Sequence, residues 1–436
     1  MSKESRTIPR GPADQYNTSD DLLRWMGEQF ERFGDIFRAS IYGANVYAIN
    51  TPKYAEHVLL NAWRNYPKGQ AIKRIGLLLG NGLMVSKGAL WKRQRRLIQP
   101  AFSRTALDGL SSIIVSSNVR LLARWEAAAL ANSVVNVTRD ISAMILEIVL
   151  LTIFGDDFSE VAPVFKVVTE EVSRDMEFAH VFSGLGKTII DVANKRQREK
   201  RVAGDFLGVL MQARDRETGE GMTNAQLAKE IMTLIVAGHE TTASALNWTW
   251  YLLSHSPLVE NRLTNELRSP PNGDAPISSN WQNFAYCRQI IEEALRLYPP
   301  GWLMTRRAIN DDQLGEYFVP AGTEIYISPY FIQRNPRLWE APDEFNPERF
   351  EELRSTPRDE LAMLPFSVGP RNCIGEYLAR MEMQLHLIIV ASRLRMQHVD
   401  NQAPKLIAGV NLLSAQDFIM RPHLRTTPSK DSSGVS

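Results

Sequence analysis

Apolar residues recur at intervals of three and four over most of the chain, from about residue 52 to residue 300. This spacing puts them on one face of an α-helix, whereas a half-buried strand needs strict alternation. Alternation occurs in residues 35–51, which read as a hairpin, and in short pieces such as Thr323 to Ile327. We therefore expect a mostly α-helical protein with a small β-sheet region. We expect one domain over residues 1–436, with loosely ordered ends at 1–30 and 423–436.

Composition excludes several classes of protein. The 436 residues are 44% hydrophobic and 23% charged with a formal net charge of +1, which is ordinary for a globular chain and gives no bulk attraction to nucleic acid. Two cysteines, Cys287 and Cys373, cannot make a disulfide framework or a four-cysteine zinc site, and they fit a reducing compartment. The N-terminal residues are polar, and no run of about 18 apolar residues occurs. We expect a cytoplasmic protein without a membrane anchor.

Residues 366–375, FSVGPRNCIG, form a glycine-rich turn before an amphipathic helix pattern. Cys373 would lie at the N-terminus of that helix, where backbone N–H groups and the helix dipole favour the thiolate that a metal needs. Gly369 and Gly375 allow a tight turn and a close approach to a flat ligand. Cys287 lies in an ordinary helical segment, and we interpret it as a small buried apolar residue.

The same segment resembles the haem-binding loop of the cytochrome P-450 family, Phe-x-x-Gly-x-Arg-x-Cys-x-Gly. It matches at Phe366, Gly369, Arg371, Cys373 and Gly375. The resemblance implies that the cofactor is haem b (iron protoporphyrin IX) and that Cys373 is its iron ligand. It also implies that Phe366 packs beside the sulfur and that Arg371 pairs with a haem propionate. The implied fold is the family's triangular helical prism, with a long central helix over the haem.

Glu293 and Arg296 lie three residues apart on a predicted helix and so share a face. A surface ion pair of little energetic value is the alternative interpretation, and Glu292 could also reach Arg296 at a spacing of four. The resemblance implies a buried structural triad of Glu293, Arg296 and Arg349, with Arg349 taken from the PERF stretch. Buried charges of this kind are costly unless fully paired, so the expected role is to hold the scaffold.

A basic helix, WKRQRRLIQPAF, carries Trp91 and Arg95 four residues apart. A guanidinium fork suits a carboxylate, although a solvated basic face is the alternative. The resemblance implies that both residues contact the haem. Arg307 in LMTRRA is similarly expected to pair with a propionate, and Arg306 is the alternative to it.

The stretch Ala237-Gly238-His239-Glu240-Thr241-Thr242 interrupts the middle of a long predicted helix. A glycine there costs about 1 kcal/mol relative to alanine, which suggests a purpose. Ala237, Gly238 and Thr241 share one face, and the resemblance implies that the two small residues lie against the haem. It further implies that Glu240 and Thr241 are the acid–alcohol pair of a proton relay. His239 falls at the variable position, and we interpret it as structural.

Two features depart from the family pattern. Gln333 stands where many members carry a histidine followed by arginine, so a contact of that kind is in doubt. The span from residue 158 to about Asn224 looks short, and this region normally covers the substrate pocket. We therefore expect a more open pocket mouth.

The function implied by the resemblance is a haem-dependent monooxygenase that inserts one oxygen atom of O₂ into a C–H bond. The expected substrate is a medium-sized apolar molecule such as a terpenoid, a steroid or a fatty-acid derivative. A peroxide-using, isomerising or dehydrating haem-thiolate enzyme and a non-catalytic haem sensor remain alternatives. The residues expected near the substrate are Ile75, Leu78, Val236, Leu303 and Phe418.

Electrons are expected from a separate partner, a ferredoxin with its reductase, because no G-x-G-x-x-G nucleotide-binding sequence is present. Ten basic residues and no acidic residue lie between Glu56 and Asp108. Such a surface attracts an acidic protein and raises its association rate. We therefore expect the donor to dock near the Trp91 helix.

Overall fold

The computed structural model describes residues 8–9, 21–170, 177–270, 277–352, 360–400 and 402–425. Helices dominate, as the periodicity predicts. Those of the N-terminal half are α1 (Leu22–Phe33), α2 (Pro52–Glu56), α3 (Ile72–Leu79), α4 (Gly88–Ile98), α5 (Arg104–Asp108), α6 (Ser111–Leu130), α7 (Val137–Phe154), α8 (Phe158–Glu170), α9 (Glu177–Arg198) and α10 (Phe206–Gln212). Those that follow are α11 (Asn224–Ser254), α12 (Pro257–Arg268), α13 (Ile277–Asn280), α14 (Ala285–Leu297), α15 (Pro329–Ile332), α16 (Arg349–Glu352) and α17 (Glu376–Ala391).

The central helix α11 runs for 31 residues and packs against α7, α9, α14 and α17. The hydroxyl of Thr223 caps its N-terminus by accepting a hydrogen bond from the backbone N–H of Gln226. Its middle faces the cavity described below, while its C-terminal half is buried on nearly all sides. A helix surrounded in this way serves as the axis against which the other helices are arranged.

The strands are β1 (Ile36–Ile41), β2 (Ala44–Ile49), β3 (Val135–Asn136), β4 (Met304–Arg307), β5 (Asp312–Leu314), β6 (Tyr317–Val319), β7 (Glu324–Ile327), β8 (Leu394–His398), β9 (Leu406–Ala408), β10 (Leu412–Ser414) and β11 (Ile419–Leu424). The largest sheet has the order β1-β2-β7-β4. Strands β1 and β2 form the expected hairpin, and β7 pairs parallel to β2. Strand β4 therefore lies at one edge of this sheet, next to the cavity.

Two segments within the ends expected to be loosely ordered have regular structure. Helix α1 begins at Leu22 and buries Met26 and Phe30 against the β1–β2 hairpin, because its apolar residues recur at helical spacing. At the other end β11 extends to Leu424, and Arg425 donates hydrogen bonds to the carbonyl oxygens of Ala391 and Leu394.

Candidate active site

The turn that carries Cys373 is fixed by contacts that only certain residues permit. The backbone N–H of Cys373 donates to the carbonyl of Phe366 at 2.9 Å. Gly369 has a φ of 77°, and a Cβ atom there would lie 2.4 Å from the carbonyl oxygen of Leu59. Backbone conformation and space therefore both require glycine at this position. The turn is thus held against the π-helical segment His57–Asn61.

Cys373 is three residues before the first residue of α17, and it lines a large cavity in the described chain. Burial raises the pKa of the Cys373 thiol, and a hydrogen bond from the backbone of Gly375 offsets this only in part. The backbone hydrogen bond and the nearby cations Arg95 and Lys68 favour the thiolate, whereas desolvation opposes it. An added Cβ at Gly375 would meet Phe102 at 3.8 Å, an ordinary contact distance.

Three of the cationic residues that line the same cavity lie close enough to interact electrostatically: Lys68, Arg306 and Arg371. Burial and the neighbouring cations lower the pKa of Lys68 to about 7. Burial lowers the pKa of Arg306 to about 10, and burial and the nearby Arg306 lower that of Arg371 to about 10. Within the described residues no carboxylate lies at ion-pair distance from any of the three. The group therefore suits an anionic ligand.

Arg306 takes the place in which Arg307 was expected. Arg306 is 4% exposed and lines the cavity, whereas the Arg307 side chain is 40% exposed and lies 3.7 Å from Glu324. The reason is the alternation of side chains along β4, which directs successive residues to opposite faces. The phase of that alternation is set by pairing with β7.

Trp91 and Arg95 support the cysteine turn from α4. The guanidinium of Arg371 lies 3.8 Å from the centre of a Trp91 ring. Arg95 donates to the backbone carbonyl and the side-chain oxygen of Asn372, both at 3.1 Å. Neither Trp91 nor Arg95 is among the residues that line the cavity in the described chain, so both hold the loop from behind in this structure.

Helix α11 presents a small-residue face to the cavity opposite Cys373. Ala237, Gly238 and Thr241 all line it. The Thr241 hydroxyl donates to the carbonyl of Ala237 at 2.7 Å, a bond that loosens the helix locally. Gly238 tolerates an added Cβ, which would meet Val149 at 3.5 Å. The spacing in the sequence therefore places these residues on one face, as expected.

The structure brings Glu293, Arg296 and Arg349 together in a buried cluster. The carboxylate of Glu293 accepts from Arg296 at 2.7 and 2.8 Å and from Arg349 at 2.9 Å. All three side chains are buried. Glu292 points elsewhere and pairs with Arg380, which decides between the two possible partners of Arg296. Because both cations have a carboxylate, the cluster stabilises the scaffold.

Comparison with known proteins identifies the family. The profile described as "Cytochrome P450" matches residues 8–179 and 159–419. This chain belongs to the cytochrome P450 family. It is 31% identical to cyclooctatin synthase from Streptomyces melanosporofaciens over 84% of either chain. Pentalenene oxygenase from Streptomyces avermitilis is 29% identical over 83% of this chain and 84% of the relative. A crystal structure of a cytochrome P450DA heme domain superimposes with a TM-score of 0.84, at 25% identity, covering 97% and 98% of the two chains.

A further relative is carotene epsilon-monooxygenase of Arabidopsis thaliana chloroplasts, at 27% identity over 92% of this chain and 81% of the relative. The chain is therefore an oxidoreductase of the monooxygenase type, with haem as its cofactor, that needs O₂, a substrate and an electron donor. Among the described residues of this P450, no helix is long and apolar enough to cross a membrane.

The cavity of this P450 fits a haem. A thiol, three cations without a described carboxylate partner and a small-residue helix face all border one space. Cys373 is the residue that would ligate iron, and Phe366 lines the cavity beside it. Lys68, Arg306 and Arg371 would hold the two propionates, since a desolvated cation is stabilised most by a nearby anion.

Glu240 and His239 both point away from this space. Glu240 is exposed, is absent from the described cavity wall and accepts a hydrogen bond from the side chain of Asn411. Nε2 of His239 lies 2.9 Å from the Ser142 hydroxyl, and burial lowers the pKa of His239 to about 4. A neutral imidazole bound to α7 fits the structural interpretation.

The five residues expected near the substrate divide into three groups. Ile75 and Leu303 line the cavity. The side chain of Leu78 lies outside the described part of the chain. Val236 and Phe418 are not among the described lining residues: Val236 packs against the main hydrophobic core, and Phe418 is 2% exposed and stacks on Tyr251.

The C-terminal hairpin does contribute to the wall, but through a different segment. The lining residues run from Lys405 to Asn411, and they precede Phe418, the residue expected from the sequence. The motifs also gave no indication of Lys68 or of Glu382, a cavity-lining carboxyl whose pKa burial raises to about 8.

Gln333, the departure from the family pattern, is fully buried and fully paired. Its amide nitrogen donates to the carbonyls of Leu295 and Arg296, both at 3.0 Å, and its side-chain oxygen accepts from the backbone N–H of Leu364 at 2.8 Å. Gln333 therefore joins the end of α14 to the segment that precedes the cysteine turn.

Proposed function

We propose that this P450 hydroxylates a medium-sized, mainly apolar substrate of terpenoid type, with steroids and fatty-acid derivatives as related classes. The observation that carries the proposal is the cavity. It has a volume of about 1340 Å³ and a largely apolar wall above Cys373. The apolar part includes Ile72, Ile75, Met84, Val149, Leu234 and Leu303. Ligand pockets of about 300–1,000 Å³ are usual, so this cavity has room for a substrate beside a haem.

The names of two relatives support the terpenoid part of this proposal. Pentalenene oxygenase and carotene epsilon-monooxygenase act, by their names, on pentalenene and on carotene. Both compounds are hydrocarbons assembled from isoprenoid units. An apolar wall is suited to such molecules because burial of their surface drives binding without the need for a charged anchor.

The residues of the chain have separate roles in the proposed reaction. Haem b, when bound, supplies the oxygen chemistry, in which O₂, two electrons, two protons and R–H give R–OH and water. Cys373 would provide the thiolate that ligates the iron and donates electron density to it. The small side chains of Ala237 and Gly238 would leave room in the cavity for the cofactor and O₂. The Thr241 hydroxyl, held by the carbonyl of Ala237 at 2.7 Å, orders water in the cavity. Glu240 supplies protons from the solvent side.

We further propose that the electron donor is an acidic ferredoxin, reduced by its own reductase, that docks against α4. The structure reduces the number of cations available for docking. Arg93 lies 3.5 Å and Arg96 3.1 Å from Asp215, so both are already paired. Lys92 is exposed on the same helix, and Arg104 stacks on the ring of Tyr377 near the start of α17. These two residues are the cations that support docking best.

A ligand titration followed by product analysis tests the proposed substrate. The haem-loaded protein is titrated separately, over the same concentration range, with pentalenene, β-carotene, a steroid, a fatty acid and a small polar compound. We expect the terpenoids to shift the haem spectrum towards high spin and to yield hydroxylated products with a ferredoxin system. If only the small polar compound shifts the spectrum, the proposed substrate class is wrong.

A further inference from the structure

The tip of the β9–β10 hairpin is held in place on both of its sides. The Ser244 hydroxyl of α11 donates to the carbonyl of Leu412 at 2.8 Å, in a buried contact. The backbone N–H of Leu412 donates to the carbonyl of Pro300 at 3.0 Å. The indole N–H of Trp302 donates to the carbonyl of Gly409 at 2.9 Å. The turn between the strands therefore has a defined position relative to α11.

Asn411 lies in this turn and has two different neighbours. It is among the residues that line the cavity. Its side-chain N–H also donates to the carboxylate of Glu240, which lies one helical turn before Ser244. Glu240 itself is exposed and is not part of the described cavity wall. Asn411 thus lines the cavity and is also hydrogen-bonded to the Glu240 carboxylate.

We propose that Asn411 is a positioning residue that orients the Glu240 carboxylate for proton delivery. This inference rests on the proposed role of Glu240 and Thr241. The amide of Asn411 carries no charge, so the carboxyl of Glu240 is oriented by a hydrogen bond rather than fixed by an ion pair. Glu240 has no ion pair with any described residue, so its carboxylate can take a proton from solvent and release it towards the water ordered by Thr241.

The fixed backbone of the β9–β10 hairpin favours the hydrogen bond between Asn411 and Glu240. A side-chain hydrogen bond between two exposed residues is weak by itself, because water competes for both groups. Here the backbone on either side of Asn411 is fixed by Ser244, Pro300 and Trp302, so less side-chain and backbone freedom is lost when the amide meets Glu240. The same contacts keep Asn411 at the cavity wall.

Dioxygen itself is the probe for the test. The haem-loaded protein, reduced by NADPH through a ferredoxin reductase and ferredoxin, consumes O₂ without substrate and divides it between hydrogen peroxide and water. We compare Asn411→Ala, Asn411→Asp, Glu240→Gln and Thr241→Ala. We measure peroxide formed per O₂ consumed and the solvent deuterium isotope effect. Asn310→Ala is the matched control, since Asn310 is a surface amide bound to another side chain, Asn65.

Both Asn411 variants should raise the peroxide fraction and the isotope effect towards the values of Glu240→Gln. Asn411→Asp preserves the shape of the side chain but brings a second carboxylate to Glu240, so it should be affected at least as much as Asn411→Ala. The control should match the parent. Melting temperature and haem content show that each variant is folded.

Two outcomes separate this inference from the proposed relay. If Glu240→Gln raises the peroxide fraction while both Asn411 variants match the parent, Asn411 has no positioning role. If Glu240→Gln and Thr241→Ala also match the parent, the relay itself is refuted, and the role of Asn411 with it.

Discussion

Lys68 and Arg306 pair as an isolated antiparallel bridge, and both side chains line the cavity beside Cys373. Two cations so close together are destabilising unless an anion lies between them. Burial and then the charge of Arg306 lower the pKa of Lys68, and burial lowers the pKa of Arg306. A haem propionate would supply the missing charge, so this bridge connects the stability of the fold to binding of the cofactor.

Arg306→Met should weaken haem retention, whereas Arg307→Met should not. Arg306 is buried and lines the cavity, whereas Arg307 is partly exposed and already lies near Glu324, so the two substitutions remove the same charge from neighbouring positions of β4. A charged hydrogen bond of this kind contributes about 1.5–3 kcal/mol. The measurement is the rate of haem transfer to an excess of apomyoglobin. Equal rates for the two variants would show that the assignment of Arg306 is wrong.

Cys373→Ala should abolish the thiolate Soret band of the reduced carbon monoxide complex. Cys287→Ala should retain it, because Cys287 is buried and its backbone N–H is bound to Glu266 at 2.9 Å. The measurement is a reduced carbon monoxide difference spectrum of each purified variant. A thiolate band in Cys373→Ala would refute iron ligation by that sulfur.

Lys92→Glu should slow reduction by an acidic ferredoxin, and the defect should shrink with added salt. The Debye length falls from about 10 Å at 0.1 M salt to about 3 Å at 1 M, which screens an exposed charge. Stopped-flow reduction at several salt concentrations measures this. Lys229→Glu, with the same charge change at an exposed site on α11, is the control. Parental rates for Lys92→Glu at low salt would contradict docking on α4.

Arg93 is unsuitable for the same test. Its guanidinium lies 3.5 Å from the buried carboxylate of Asp215, which also pairs with Arg96. Charge reversal at Arg93 would therefore put two carboxylates together and displace α4, which also carries Trp91. A slow reduction in that variant would report on the helix rather than on docking.

Glu230→Gln should stabilise the protein relative to the parent by an amount that grows with pH. Burial raises the pKa of Glu230 to about 7, while its carboxyl accepts from the backbone N–H of Leu83. At low pH the carboxyl is protonated in both the folded and the unfolded chain, so the raised pKa does not change the free energy of unfolding. As the pH rises above the pKa of the unfolded chain, the parent loses stability, and this loss is complete near pH 7.

Between pH 4.5 and pH 7 the free energy of unfolding of Glu230→Gln should increase relative to that of the parent by up to about 3 kcal/mol. Urea unfolding of the apoprotein at several pH values measures it, and the glutamine preserves the acceptor for Leu83. A difference that is constant with pH, or that falls as pH rises, would contradict the assignment of a raised pKa to Glu230.

The helices, the cysteine turn and the small-residue face of α11 follow from the sequence alone. Each is encoded within one continuous segment, through periodicity, a glycine that the turn requires, or residues three and four apart. The triad of Glu293, Arg296 and Arg349 also followed from short motifs. In that case, however, the tertiary structure decided that Glu292 pairs with Arg380 instead.

Tertiary structure decided which residues meet when segments distant in sequence come together. The pairing of β4 with β7 determines that Arg306 rather than Arg307 faces the cavity, and a bridge across more than two hundred residues brings Lys68 beside it. Phe418 is buried in the core, whereas Asn411 and its neighbours line the cavity. The physical reason is that local sequence sets the alternation of side chains, while only the packed partner fixes which side becomes the interior.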